Sequence, residues 1–343
     1  MTKVATLENR RFLCLVVLAA MLIAMIPISV VVFPRGLLAA DNSTISGQFH
    51  TNESSSPPLV NSVGLYTTGD VAATDMDPGV AYWIKVGVTD NETLEHLTSL
   101  QVTIYYDATG AHPAAPTTVD NQTCAIITWT PTNTWTLTDM GAGTTWSITN
   151  GTTPTLLNQN TGTFVFHFTP GKTAHETKNV IGDWDIYAVA TDAGSSTGHN
   201  SQTGDQMTWY GEINSVTGSV NFGSVSLGQE VKSSAITATY NCNGDYSEQA
   251  RTVSQWTSGS YNVNLQGSGA PGNGEFTLFG DVAGTNHTAV QLTTSYNDLD
   301  ATRGITSEGG TTLGSNALWL TLGPSGIHSG TYGGNIYFAI ANR

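Results

Sequence analysis

Residues Val80 to Thr89 read VAYWIKVGVT. Val80, Tyr82, Ile84, Val86 and Val88 fall on one side, and Ala81, Trp83, Lys85, Gly87 and Thr89 on the other. A period of two marks a half-buried strand, because successive side chains of an extended backbone point to opposite faces. The pattern returns at Gln101–Tyr106 (Val102, Ile104, Tyr106), Thr163–Thr169 (Phe164, Phe166, Phe168) and Asp183–Thr191 (Trp184, Ile186, Ala188, Ala190). Further strands are expected at Thr123–Thr130, Thr134–Thr138 and Thr144–Thr149, with Asn150-Gly151 as a hairpin turn and Pro170-Gly171 as a stop. Asn91–Leu100 suits a single helical turn between strands. Such spacing is met by two packed antiparallel sheets over about residues 62–205. Composition agrees: 52 Thr and 37 Gly suit strands and tight turns, and 39% hydrophobic residues suffice for a core. Coiled coil, collagen and helical bundle are excluded.

The second half restarts after Ala193–Gly204 (AGSSTGHNSQTG), read as a break, with Met207–Ile213 bridging the halves. Strands are expected at Val216–Phe222, Ala235–Tyr240, Arg251–Trp256, Tyr261–Gln266, Glu275–Phe279, Ala289–Ser295, Ala317–Leu322 and Thr331–Ala341. Asn243-Gly244 and Asn273-Gly274 are turn signals. The fold class is therefore all-β: two antiparallel β-sandwich, Ig-like domains preceded by an N-terminal hydrophobic helix. Residues 1–40 are a signal peptide or signal anchor, 41–61 a Ser/Asn/Pro-rich linker, 62–205 the first sandwich and 206–343 the second.

Phe12–Phe33 is an uncharged apolar run preceded by Lys3, Arg10 and Arg11. Positive charge on that flank predicts translocation of everything after it. The run is long enough for a span, and Ala39-Ala40 offers small residues for cleavage, so anchor and cleaved signal both remain open. The linker (DNSTISGQFHTNESSSPPLVN) shows no apolar period; Ile45, Phe49 and Leu59 are its main apolar residues. The chain is expected outside the cell or at its surface, on one N-terminal membrane helix if the run is kept. Asn42, Asn52, Asn91, Asn121, Asn150 and Asn286 head glycosylation sequons.

The net charge is −15; without the first forty residues, seven basic and 25 acidic side chains remain, a net of −18. Nucleic-acid binding needs clustered Lys and Arg and is excluded as a partner class. The acidic surface is a solvated face or one that attracts divalent cations.

Val80–Thr89, Phe164–Gly171 and Gly182–Asp192 (GDWDIYAVATD) resemble the B, E and F strands of Ig-like and cadherin-like domains of prokaryotic cell-surface proteins. The Cys…Trp…Cys arrangement of antibody-type domains is absent. SVNFGSVSLGQ and GTYGGNIYFAIA are similar to surface sandwich modules of prokaryotic filaments and coat layers. The resemblance implies adhesion or structural spacing and no catalysis.

Cys124 and Cys242 stand one in each half. They form either a disulfide between the halves or two separate thiols. Gly194-Ser195-Ser196-Thr197-Gly198 matches G-x-S-x-G, but HNSQTGDQ after it is no helix, so the match reads as a loop. His175-Glu176 opens a zincin-like motif that fails at Asn179. Asp75, Asp77, Asp90 and Asp192 flank strands; they are turn residues or, if they share a pole, calcium ligands. No other cofactor is expected. Trp83, Tyr105 and Tyr187 have the parity opposite the core, which fits either a platform for sugar rings or a packed interface.

Three functions compete. One is an exported, non-enzymatic structural or adhesive protein of the cell surface, an envelope coat or filament component that partners itself or other envelope proteins. The others are a carbohydrate-binding surface module and an exported hydrolase on a sandwich scaffold. Insertion of residues 41–61 as an added strand is one route to assembly.

Overall fold

The computed structural model describes residues 56–112 and 114–343. The N-terminal hydrophobic helix, the sequons Asn42 and Asn52, and most of the linker lie outside the described residues. Among those described there is no α-helix, and no helix long and apolar enough to cross a membrane.

Strands in the first half are β1 (Leu59–Thr67), β2 (Asp75–Met76), β3 (Tyr82–Thr89), β4 (Leu97–Asp107), β5 (Cys124–Thr130), β6 (Thr134–Leu137), β7 (Ser147–Thr152), β8 (Thr161–Thr169), β9 (Asp183–Asp192) and β10 (Thr197–Met207). They form a four-stranded sheet ordered β1-β3-β8-β7 and a six-stranded sheet ordered β2-β10-β9-β4-β5-β6. A 3-10 turn at Leu94–His96 takes the place of the expected helical turn. The alternation of β3 points Tyr82, Ile84, Val86 and Val88 into the core, each 6% exposed or less. Phe164, Phe166 and Phe168 of β8 lie on the same face. Trp129 of β5 meets Phe164 at 4.6 Å between ring centroids, and Trp135 of β6 meets Phe166 edge-on at 4.9 Å. These rings tie the two sheets together, and each fully buried aromatic contributes on the order of 2–3 kcal/mol.

The second half carries β11 (Gly211–Val216), β12 (Glu230–Lys232), β13 (Ile236–Cys242), β14 (Tyr246–Thr252), β15 (Gln255–Ser258), β16 (Tyr261–Leu265), β17 (Glu275–Asp281), β18 (Val290–Gln291), β19 (Asn297–Arg303), β20 (Thr311–Leu322) and β21 (Ile336–Asn342). An eight-stranded sheet runs β11-β13-β20-β17-β16-β15, with β12 on β20 and β18 on β17; a three-stranded sheet runs β19-β14-β21. Ile236, Trp256, Val263, Phe276, Leu278 and Leu320 lead its core. Glu248 of β14 is fully buried; it accepts from Tyr240 Oη (2.6 Å) on β13 and Asn316 Nδ2 (2.5 Å) on β20, and pairs with Arg303 of β19. This carboxylate bridges the two sheets.

The halves have separate hydrophobic cores, and residues 53–343 form one compact unit. Their contacts gather at the pole of the first sandwich where β4, β8 and β10 end. Asn243, fully buried, donates to Ala174 O and Thr208 O (2.8 Å each) and accepts from Tyr210 N–H (2.6 Å). The Glu308 carboxylate accepts from Thr145 N–H and from the Thr145 and Thr173 hydroxyls. His175-Glu176 belongs to this junction: Glu176 is 3% exposed, and its N–H donates to Asn243 O.

Several expectations need correction. Asn150-Gly151 lies within β7 as an irregularity of its pairing with β8. A Cβ at Gly151 would sit 2.3 Å from Val165 O and 2.7 Å from the Trp135 ring, so close approach, not a turn, requires glycine there. The expected break at Ala193–Gly204 is a hairpin turn followed by β10, which pairs with β9. Polar residues fill β10, so no apolar alternation reveals it; backbone pairing holds it. Ser195 sits in that turn at φ 64°, with β10 after it and no helix. Leu59–Asn61 belong to β1, with Val60 2% exposed. The expected strand Arg251–Trp256 divides between β14 and β15, and β19 was not foreseen. The expected strand Val216–Phe222 stops at Val216, and no strand forms again before Glu230.

Cys124 and Cys242 are free, buried thiols in separate clusters, not a disulfide. Burial pushes both up to about 11, which keeps them protonated and unreactive.

Candidate functional sites: an acidic pole and an apolar groove

The structure does not bring the four expected cation ligands together. Asp75 and Asp77 precede β3, while Asp90 follows it and Asp192 ends β9. The two pairs occupy opposite poles, about 24 Å apart along β3. Asp75 pairs with Lys178 (2.6 Å) and Asp77 accepts from Thr208 Oγ1 (2.5 Å). Asp90 caps Glu92 N–H and Asp192 caps Ser196 N–H, as turn carboxylates do.

A different set converges. Register places Asp107 of β4 opposite Asp183 of β9, and Tyr105 opposite Asp185. These side chains share the outer face of the six-stranded sheet. His112, at φ 53°, folds back over them. Ligand atoms of Asp107, His112, Asp183 and Asp185 lie within 4.8 Å of one another. Most of the acceptor capacity is already used. Asp107 accepts from Thr109 N–H and Oγ1 (2.8 Å each) and from His112 N–H (2.6 Å). His112 Nδ1 lies 3.2 and 3.1 Å from the two oxygens of Asp185, which also accepts from Gly204 N–H. Burial raises the Asp107 carboxyl, but the Thr109 and His112 donors outweigh it and hold it below the usual range. The hydrogen bond to Asp185 raises the His112 imidazole. Burial, then Asp185, raises Asp183, whose Oδ1 is buried without a partner. Among the described residues no serine, threonine or cysteine hydrogen-bonds the His112 ring, so no nucleophile is paired with it.

Asp205 of β10 lies nearby, 1% exposed, with Oδ1 held by Gln202 Nε2 (2.6 Å) and Oδ2 without a partner. Burial, with Asp185 and Asp183 adding, pushes its carboxyl up to about 7. The fold therefore binds this proton more tightly than the unfolded chain, so stability falls as pH rises from about 4 to about 7. Asp205→Asn is expected to stabilise the protein at pH 8 by about 2 kcal/mol and to flatten that slope. Urea unfolding at pH 5 and 8 checks it; an equal effect at both pH values contradicts it.

The three expected platform aromatics also separate. Trp83 lies on the four-stranded sheet, stacked on His167 at 5.2 Å. Tyr105 and Tyr187 lie on the six-stranded sheet, where Tyr105 is 3% exposed beneath Ala115 and Val119, beside Cys124 and Ile126. Tyr105 is a buried packing residue, and no single face presents the three rings.

The second sandwich holds a feature that reading the sequence missed. A cavity of about 930 Å³, lined by apolar and polar residues alike, opens between its sheets. Trp256, Val263, Phe276 and Leu320 form the floor; Val220 and Phe222 line one wall, Ile327 and Ile336 the other. Trp256 lies 5.1 Å from Phe276 and 6.0 Å from Phe222, centroid to centroid. The groove runs beside β21, which pairs with β14 on one side and, among the described residues, with no strand on the other. The three-stranded sheet therefore ends where the groove begins. Val216–Phe222 gave the signal: its alternation continues past the point, at Val216 and Thr217, where its pairing with β13 ends among the described residues.

No protein-family model matches this chain, and no curated protein matches it.

Proposed function

We propose that this chain is an exported structural or adhesive protein of the cell surface, a coat or filament component built of Ig-like sandwiches. The observation that carries the reading is the groove beside the edge of β21, which has no second partner strand among the described residues. An edge strand beside an open groove is a surface for strand addition, and proteins that stay single blunt such edges. The site offers main-chain hydrogen bonds and apolar contact, not converging reactive groups. An N-terminal apolar run with basic residues before it supports export, and the sequons after it support glycosylation. Glycans are expected at Asn91, Asn150 and Asn286, which are exposed. None is expected at Asn121, whose Nδ2 donates to Met140 O and whose Oδ1 is buried. Intact-mass and peptide analysis of the native protein checks this; a glycan on Asn121 contradicts it.

Electron microscopy of native envelopes, labelled with an antibody to the second sandwich, tests the reading. Label on a regular surface layer or fibre supports it. A cytosolic pool, or scattered single copies at the surface, overturns it.

A further inference from the structure

Resting on that reading, we infer that the groove receives residues 45–49 of a second copy of the chain, as a strand added to the free edge of β21, linking copies head to tail.

The shape asks for a strand. Ile336 and Phe338 of β21 face the groove, while Tyr337 turns away to stack under Arg251. The edge of β21 can bond a neighbouring strand along its length. A cavity of about 930 Å³ beside Trp256, Phe276 and Phe222 leaves room for added side chains.

The segment between the apolar run and β1 supplies such a strand. Ile45, Gly47 and Phe49 share one parity, and Ser46, Gln48 and His50 the other. An extended backbone through them sets two large apolar anchors toward the floor, with a glycine between them, and polar residues toward solvent. Thr44–Thr51 carries no formal charge and no proline, so nothing in it opposes burial of that face or addition to a sheet.

Geometry decides whose segment it is. The chain enters the first sandwich at the pole far from the junction. There Leu59 pairs with Thr89, and Pro58 lies so close to Gly198 that a Cβ there would sit 1.8 Å from Pro58 O. A tail returning to the junction runs the length of β3, about 24 Å. The groove starts farther on, past the five residue steps of β11 that lead away from the junction, about 17 Å more. Phe49 is ten residues before Leu59, a reach of about 35 Å at full extension. Entry at the far pole thus attaches the segment at one end of the described chain, with the groove in the other half. With the donor at one end and the acceptor at the other, the contact is heterologous, and repeating it builds an open filament or a ring.

The test uses the full chain, exported by its host and recovered from the envelope. Ile45→Asp/Phe49→Asp alters the donor. The unaltered protein is expected to form linear assemblies by mass photometry and negative-stain microscopy. The double variant is expected to remain single, with an unchanged far-ultraviolet spectrum. A synthetic peptide of residues 41–55 should bind that variant one to one and raise its Tm, and the peptide with aspartate at both positions should bind at least tenfold more weakly. Phe49→Cys protein mixed with Val220→Cys protein should give a disulfide between chains. Assemblies that persist in the double variant overturn the inference, while leaving the surface role standing. So do a peptide that does not bind, a small apolar molecule found in the groove by native mass spectrometry, or cross-linking within one chain of a Phe49→Cys/Val220→Cys protein. Absence of the unaltered protein from the cell surface would instead overturn the reading on which this rests.

Discussion

Glu248→Ala is expected to destabilise the second sandwich by about 3–5 kcal/mol, the range for breaking a buried charged network by removing one partner. The carboxylate is fully buried and holds groups from both sheets: the Tyr240 hydroxyl, the Asn316 amide and the Arg303 guanidinium. Burial, then the charge of Glu248, holds the Tyr240 hydroxyl far above the ordinary tyrosine range, so it remains a donor throughout the accessible pH range. Truncation strands that donor, the Asn316 amide and a half-buried guanidinium at once, and leaves a cavity. Glu248→Gln keeps acceptor capacity at the same place and should cost less than half as much. Urea unfolding of both variants checks the pair; equal losses, or a loss below about 1 kcal/mol for alanine, contradict the network.

Asn243→Ala is expected to cost about 3 kcal/mol or more, chiefly by uncoupling the halves. Its amide meets two carbonyls and one backbone N–H at the junction. Removal leaves three backbone groups to find other partners at a partly buried junction, at about 1–3 kcal/mol for each left unmade. Each half retains its own core, so neither should unfold when the other does. Calorimetry is therefore expected to resolve one transition into two, and limited proteolysis should cut near Thr208–Tyr210. A single transition shifted by less than about 1 kcal/mol contradicts a junction held by Asn243.

The core of the first sandwich was legible because β3, β8 and β9 bury one face and leave the other half-exposed, and a period of two follows directly from that. β10 was illegible because it is held by its backbone pairing with β9 rather than by apolar side chains. The acidic pole escaped for a different reason. Asp107, Asp183 and Asp185 lie far apart in the chain, and only the β4–β9 register brings them together. Carboxylates beside the turns, Asp75, Asp77, Asp90 and Asp192, drew the sequence argument instead, although two lie at each pole. Parity alone identified Trp83, Tyr105 and Tyr187 as facing away from the core. It does not tell which sheet carries each ring, nor that Ala115 and Val119 cover Tyr105. Val216–Phe222 is the informative failure: it reads as a strand, but among the described residues its pairing with β13 ends at Val216 and Thr217.

The central claim is that β21 is an edge awaiting a strand. Hydrogen exchange on single copies and on assemblies tests it most directly, because alternate amides of Ile336–Asn342 point away from β14. Those amides are expected to exchange rapidly in single copies and to slow at least a hundredfold on assembly, while amides bonded to β14 change little. Assembly that leaves exchange along β21 unchanged would contradict the account.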